Sequence, residues 1–265
     1  MPDVPDVFDE LEPRTSRFYL NALAVLGEAK VPYLLGGAYA FAHYTGIVRH
    51  TKDLDLFVRP TDAPRALEVL AKAGYRTEMT FSHWLGKAFS GDDFVDVIFC
   101  SGNGACPVDD EWFAHAVSMG PQGTALLCPP EELIWQKAYI MERERFDGAD
   151  VNHLLRACAQ SLNWDRLLRR FGANWQLLLG HLFLFGFVYP AEQDKIPARV
   201  LDTLLERWRK EARHSAGGEK VCRGPLLSRM QYLIDTERWG YKDPRLSPHG
   251  CMSADQITHW TAAGR

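Results

Sequence analysis

Apolar runs separated by glycines and regularly spaced polar residues predict a strand, a helix and a second strand near the start of the chain. Val31–Leu35 is a short apolar strand that ends at Gly36 and Gly37. Ala38–Tyr44 is compatible with a helix, and Asp53–Val58 begins with the polar–apolar alternation of a strand. A strand that leads through glycines into a helix exposes backbone N–H groups at the helix N-terminus, which suits a phosphate group.

The same patterns divide the chain into two parts. In the first part they predict strands at Tyr75–Phe81, Trp84–Phe89 and Phe94–Phe99, and helices at Thr15–Ala29 and Thr61–Ala73. From Pro129 onward they predict helices only, including Ala149–Gln160, Trp164–Phe171, Asn174–Phe187, Ala198–His214 and Pro225–Trp239. We therefore predict an α/β (α+β) core domain over residues 1–128, with a short mixed sheet flanked by helices. An all-helical C-terminal domain over residues 129–265, with an irregular tail from residue 240, follows it.

Composition restricts the protein class without naming a function. The 265 residues are 46% hydrophobic and 24% charged, with a formal net charge of −4, which gives no global attraction to nucleic acid or anionic membranes. The six cysteines are scattered without a C-x-x-C pair, which argues against a zinc site and indicates reduced thiols in a cytoplasmic protein. The apolar run Trp175–Tyr189 is too short for a typical membrane-spanning helix, so we predict a buried core helix and no membrane partner.

Three carboxylates are the strongest chemical signal. Asp53 and Asp55 are two residues apart on a predicted strand and therefore point the same way. Asp96 interrupts the apolar strand Phe94–Phe99, where a buried carboxylate needs a partner. Neighbouring carboxylates repel each other unless a cation lies between them, and Mg²⁺ (or Mn²⁺) takes such oxygen ligands together with phosphates. The alternative for Asp96 is a salt bridge with Lys87 or Arg49.

The ordered set Gly36-Gly37, Asp53-x-Asp55 and Asp96 resembles the DNA polymerase β-like nucleotidyltransferase superfamily over about residues 31–100. The resemblance implies a nucleotidyltransferase core that uses divalent metal and an NTP. It also implies three sets of residues. The carboxylates Asp53, Asp55 and Asp96 would be catalytic and bind metal, Gly36 and Gly37 would hold phosphates, and Arg49 and Thr51 would shape the rim of the site.

A second segment, PPEELIWQKAYIMERERFDGADVNHLL, resembles the corresponding region of AbiEii-type toxin nucleotidyltransferases. The matching positions are Lys137, Asp147 and Asp150, and the likeness implies nucleotide binding by Lys137 and Asp150. Lys137 also lies on the apolar stripe of its predicted helix, where an ammonium group needs an anionic partner. That partner is either a triphosphate or, alternatively, Asp147 or Asp150 in a structural salt bridge; simple snorkelling is a third interpretation.

The sequence also predicts the surroundings of several other polar and aromatic residues. His50 and Lys52 are predicted to lie in a solvated loop. The aromatic residues Trp175, Phe183, Phe185 and Phe187 are predicted to be core. Arg166, Arg169 and Arg170 are a candidate RNA-binding face, for which a solvated helix face is the alternative.

The leading hypothesis is a Mg²⁺-dependent nucleotidyltransferase that transfers a nucleoside monophosphate from an NTP to an acceptor hydroxyl. The acceptor is RNA or tRNA, as for a toxin with a partner antitoxin protein, or a small molecule such as an antibiotic. The net negative charge favours the small molecule slightly, because tRNA contacts need a basic surface. The alternative of another class is a non-catalytic module that binds a nucleotide or a partner protein.

Overall fold

The computed structural model describes residues 11–49, 51, 53–119, 125–213 and 219–264. The strands are β1 (Leu34–Leu35), β2 (Asp53–Phe57), β3 (Arg76–Phe81), β4 (Leu85–Ser90), β5 (Asp93–Ile98), β6 (Val117–Met119) and β7 (Ala125–Leu127). The helices are α1 (Pro13–Glu28), α2 (Gly37–Thr45), α3 (Ala63–Lys72), α4 (Asp110–Ala114), α5 (Pro130–Ala138), α6 (Gly148–Cys158), α7 (Trp164–Phe171), α8 (Trp175–Val188), α9 (Ala198–Ala212), α10 (Leu233–Glu237) and α11 (Ala254–Ala262).

The described chain folds as two compact units. The first combines the residues up to Pro129 with Gly250–Ala263, and the second is Pro130–His249. A mixed sheet with the order β3-β4-β5-β2-β1-β7-β6 forms the centre of the first unit. Strand β2 pairs parallel with β5 and antiparallel with β1, so the strand that carries Asp53 and Asp55 is internal. The predicted mixed sheet flanked by helices, followed by a helical part, is confirmed.

Alternation along β2 explains how the sheet presents its carboxylates. Leu54 and Leu56 are completely buried, whereas Asp53 and Asp55 on the other face are only half-buried. Burying a leucine side chain stabilises a fold by about 1.5–3 kcal/mol, so the two leucines fix which face turns inward. A one-residue slip would reverse both faces at once.

Helices α1 and α3 pack against each other and contact β5. Their buried positions recur at helical spacing, as in Ala22 and Leu26 of α1 and Ala66 and Leu70 of α3. This agreement between pattern and burial is why both helices could be predicted from sequence.

The second unit consists of helices and short turns among its described residues. Helix α5 packs against α6, α7 and α8, and α8 also contacts α9. By length and composition alone, the stretch Trp164–Val188, with a mean hydropathy of 1.3, could cross a membrane. The core helix of a soluble protein can have the same length and composition, so this is weak evidence for a membrane-spanning helix. In this unit the stretch is interrupted by a 3₁₀ turn at Gly172–Asn174.

Two of the aromatic predictions for α8 are wrong. Trp175 and Phe185 are buried as expected, but Phe183 is 57% and Phe187 84% exposed. Buried positions are mostly hydrophobic, but a hydrophobic residue need not be buried, since much of a folded protein's surface is apolar.

Near the C-terminus the observed elements differ from the predictions. A helix was expected over Pro225–Trp239, but only the 3₁₀ turn Gly224–Leu226 and the short α10 form. The Ser228 hydroxyl accepts the Gln231 N–H at 3.2 Å and donates to Glu142 at 2.6 Å, and such local bonds compete with a helix.

The tail after residue 240 is not wholly irregular. It contains α11, whose start is a capping box between Ser253 and Gln256. The Ser-x-x-Gln spacing is visible in the sequence and marks a helix start. Strands β6 and β7 are three residues each, which is too short for a periodic pattern to show.

Candidate active site

The three predicted carboxylates meet on one face of the sheet. The parallel register of β2 and β5 sets Asp55 directly opposite Asp96, and Asp53 opposite Phe94. One carboxylate oxygen from each of Asp53, Asp55 and Asp96 lies within 4.8 Å of the others. Oxygen donors of this kind, gathered at this separation, fit a hard divalent cation such as Mg²⁺ or Mn²⁺.

Lys87 lies beside this cluster on the neighbouring strand β4. It is opposite Asp96 in the antiparallel register, and its ammonium nitrogen is 2.5 Å from Asp96 Oδ1. The ammonium also lies 4.1 Å from the centre of the Phe94 ring. Burial raises the pKa of Asp96, the hydrogen bond and charge of Lys87 lower it, and Asp53 adds a smaller rise; the balance is a raised pKa. The salt bridge considered as the alternative for Asp96 is therefore present together with the carboxylate cluster.

The glycine turn before α2 is built against Asp55. The Gly36 N–H donates to the Asp55 carbonyl oxygen at 3.0 Å, and α2 begins at Gly37. Gly37 has a φ of +52°, and a Cβ atom there would lie 1.7 Å from Asp55 Oδ2. Position 37 therefore requires glycine both for its backbone conformation and for the carboxylate that it touches.

Gly37→Ala is expected to lower the activity of this site far more than it lowers stability. The new methyl group must displace the Asp55 carboxylate, and misplacing a reacting group by 1 Å can cost about 10²-fold in rate. The control is Gly46→Ala at the other end of α2. Gly46 has a φ of +71° with nothing within 4 Å of an added Cβ. Both variants should lose about 1–2 kcal/mol in urea unfolding, because alanine is strained at positive φ. Equal activity of the two variants would contradict the steric argument.

The rim residues predicted from family resemblance lie close to the carboxylates or to α2. The Thr51 hydroxyl donates to the Asp53 carboxylate. The Arg49 guanidinium lies over the Phe41 ring of α2, 4.6 Å from its centre. His50 and Lys52 lie outside the described residues. The nucleotide-binding roles of Arg49 and Thr51 stay predictions.

Tyr39 is a site residue that the sequence did not single out. It is buried on α2, two residues after Gly37. Burial, with the charges of Asp53 and Asp55 in addition, raises its pKa well above the usual range, so the phenol stays protonated. In the sequence, the position of Tyr39 two residues after Gly37 is what could have indicated that it lies near the carboxylates.

Lys137 and Asp150 belong to the second unit and form a salt bridge there. The Lys137 ammonium is 2.7 Å from Asp150 and 3.1 Å from Asp147, and all three side chains are largely buried. Burial raises the pKa of Asp147, but Arg145 and Lys137 outweigh it and hold that pKa below its usual value. The salt bridge named as an alternative for Lys137 is therefore formed, and contact with a triphosphate stays a prediction.

The prediction of an RNA-binding face on α7 is wrong for two of the three arginines that it named. Arg166 is 3% exposed and pairs with Glu131, and also with Glu132 at 3.3 Å. Arg170 is 3.1 Å from Glu132, whereas Arg169 is exposed. Arg166 and Arg170 therefore form neither a solvated helix face nor an RNA-binding face, because both pair with buried glutamates of α5.

Sequence comparison identifies the family. Residues 20–185, more than half of the chain, match the family model described as uncharacterised nucleotidyltransferase. The chain belongs to this nucleotidyltransferase family. The predicted superfamily and enzyme class are thereby confirmed, while closeness to the AbiEii-type toxins stays a prediction. No curated protein matches the sequence of this nucleotidyltransferase.

Several solved structures are similar to parts of this chain at low sequence identity. The antibiotic-resistance factor ANT(2'')-Ia is 18% identical, with 64% of this chain and 98% of that chain covered and a TM-score of 0.42. The lincosamide antibiotic adenylyltransferase LnuA is 16% identical, with 54% and 96% covered and a TM-score of 0.38. The Thermotoga maritima CCA-adding enzyme, solved with tRNA, is 15% identical, with 98% and 82% covered and a TM-score of 0.32. These values support no conclusion about the acceptor.

Proposed function

We propose that this nucleotidyltransferase transfers a nucleoside monophosphate from an NTP to an acceptor hydroxyl, with Mg²⁺ or Mn²⁺ as the metal. The observation that carries the proposal is the cluster of Asp53, Asp55 and Asp96, with the start of α2 packed against Asp55. A bound divalent cation would neutralise the phosphates and the attacking oxygen as charge develops on them. Asp53, Asp55 and Asp96 are the residues that would hold it.

The side chains around the cluster support this chemistry. In the proposed reaction the acceptor oxygen forms a bond to the α-phosphorus, the bond to pyrophosphate breaks, and the hydroxyl proton passes to a carboxylate. Asp96 suits the role of base, because burial holds its pKa above the ordinary value. Backbone N–H groups in the first turn of α2, from Gly37 onward, are suited to the phosphates of the NTP. Gly36 would act by shaping the turn, because its own N–H donates to the Asp55 carbonyl oxygen. Arg49 and Thr51 complete the proposed nucleotide-binding residues of the first unit. Nucleotide binding by Lys137 and Asp150 of the second unit is a separate proposal that rests on the family resemblance.

The acceptor separates two versions of the proposal. One is RNA or tRNA, as for a toxin that an antitoxin protein would bind. The other is a small hydroxylated molecule such as an antibiotic. Pairing of Arg166 and Arg170 with buried glutamates removes two charges from the basic patch that the sequence offered for RNA. Together with the net charge of −4, this observation favours the small molecule.

Metal-dependent label transfer tests the function. With NTP labelled on the α-phosphate, we expect label to enter the acceptor in Mg²⁺ or Mn²⁺ and to stay in the NTP when EDTA is added. Label on the γ-phosphate should instead leave as pyrophosphate, which distinguishes nucleotidyl transfer from phosphoryl transfer. An RNA pool and a panel of hydroxylated small molecules, offered separately, identify the acceptor class. Incorporation of γ-label, or transfer that EDTA does not affect, would contradict the proposal.

A further inference from the structure

Lys87 is held in a cross-strand row of charges that ends in the carboxylate cluster. The register sets Glu78, Lys87, Asp96 and Asp55 opposite one another on β3, β4, β5 and β2. Side chains that face each other across strands lie on the same face of a sheet and interact directly. The ammonium group of Lys87 therefore lies at the edge of the cluster of three carboxylates.

Within this row, Lys87 contacts Asp96 and Glu78 is engaged elsewhere. Glu78 is 3.0 Å from Arg76 and accepts the Thr80 hydroxyl at 3.1 Å. The Lys87 ammonium is 2.5 Å from Asp96 Oδ1, and the Phe94 ring lies beneath it. The Lys87 side chain as a whole is 20% exposed. The Lys87 charge is thus directed at the carboxylate that the proposed reaction uses as metal ligand and base.

We propose that Lys87 is the resident counter-ion of the carboxylate cluster and competes with a divalent cation for Asp96. This inference rests on the proposed function. In the protein without metal, the ammonium offsets the repulsion that three carboxylates within 4.8 Å would otherwise exert on one another. A cation that takes Asp96 as ligand must share or displace this ion pair.

Lysine is suited to such exchange. Its charge is a compact ammonium on a flexible stem, which can leave one carboxylate oxygen without moving the backbone. Lys87 would therefore keep the affinity for free divalent cation low until the NTP brings phosphate ligands of its own. As a positioning residue, it acts through Asp96.

Mn²⁺ binding without NTP tests the inference, because it requires no turnover. We expect Lys87→Gln and Lys87→Met to bind Mn²⁺ about tenfold more tightly than wild type in calorimetric or electron-paramagnetic titrations. The estimate follows from the effect of a neighbouring cation on a carboxylate, whose affinity for a proton it commonly lowers by about one to three powers of ten. Lys87→Arg, which keeps the positive charge, should not show this tightening. Lys72→Met is the matched control, because it removes the same charge from an exposed position of the first unit.

Thermal unfolding provides a second readout in case a variant is unstable without metal. Without Lys87, saturating Mn²⁺ should raise the melting temperature more than it does in wild type, since tighter binding stabilises the folded state further. Mn²⁺ affinity unchanged or weakened in Lys87→Gln and Lys87→Met would overturn the inference. Asp53→Asn separates the two proposals: if it leaves wild-type Mn²⁺ binding intact, the metal site itself is wrong.

Discussion

Asp55→Asn is expected to lower nucleotidyl transfer by about a thousandfold or more, because a charge that stabilises the transition state through metal is lost. Asparagine keeps the shape of the side chain and removes its negative charge. Asp55 is the member of the cluster that the start of α2 touches and that lies opposite Asp96. The substitution should therefore leave the fold intact while it removes a proposed metal ligand and a neighbour of the proposed base.

The control for this variant is Asp93→Asn. Asp93 is on β5, three residues before Asp96, and accepts a hydrogen bond from Thr15 at 3.0 Å outside the carboxylate cluster. Its replacement should leave transfer nearly unchanged. The measurement is initial-rate incorporation of α-labelled NMP, together with circular dichroism to verify folding. If the two variants transfer label at similar rates, the assignment of Asp55 to the reaction is wrong.

Arg166→Met is expected to cost about 3–5 kcal/mol of unfolding free energy, the usual result of breaking a buried ion pair. Arg166 pairs with Glu131 and Glu132, and both glutamates are buried. Methionine fills a similar volume but leaves the glutamates with less neutralising charge. The measurement is urea unfolding followed by circular dichroism, with the change read from the midpoint at constant slope. Arg169→Met, on the exposed side of the same helix, should cost less than about 1 kcal/mol.

The loss in Arg166→Met should depend on pH. Burial raises the pKa of Glu132 to about 7 from an ordinary 4.5, although Arg166 and Arg170 lower it. A carboxyl whose pKa is raised by folding contributes most to stability at low pH and loses that contribution as pH rises from about 4.5 to 7. Without Arg166 the charged form becomes less favourable still. The deficit should therefore be larger at pH 8 than at pH 5.5, whereas a deficit that grows as pH falls would contradict this account.

Local patterns predicted the separate parts of the carboxylate cluster because each part is local. Alternation along β2 places Asp53 and Asp55 on one face, and the apolar flanks of Asp96 show that it needs a partner. The glycine turn is equally visible, although the sequence does not show that Gly37 touches Asp55. What links these parts is strand register, which no single segment reveals.

The second unit shows where such patterns fail. Glu131 and Glu132 have the position of ordinary first-turn acidic residues, and Arg166 and Arg170 have that of a basic helix face. Their pairing joins residues more than thirty positions apart, so neither segment alone indicates that both are buried. Lys137 is intermediate: its place on an apolar stripe predicted an anionic partner, and two acceptable partners were close in sequence. The apolar stripe alone did not show whether the anionic partner of Lys137 is a protein carboxylate or a phosphate.

The parallel pairing of β2 with β5 makes the carboxylate cluster depend on one strand register. Asp55 and Asp96 face each other only in one register, and a shift by one residue would turn a carboxylate to the opposite side of the sheet. A chain paired one residue out of register would therefore lack the cluster. The specific activity of a refolded preparation would then count its correctly paired molecules, each turning over at the full rate.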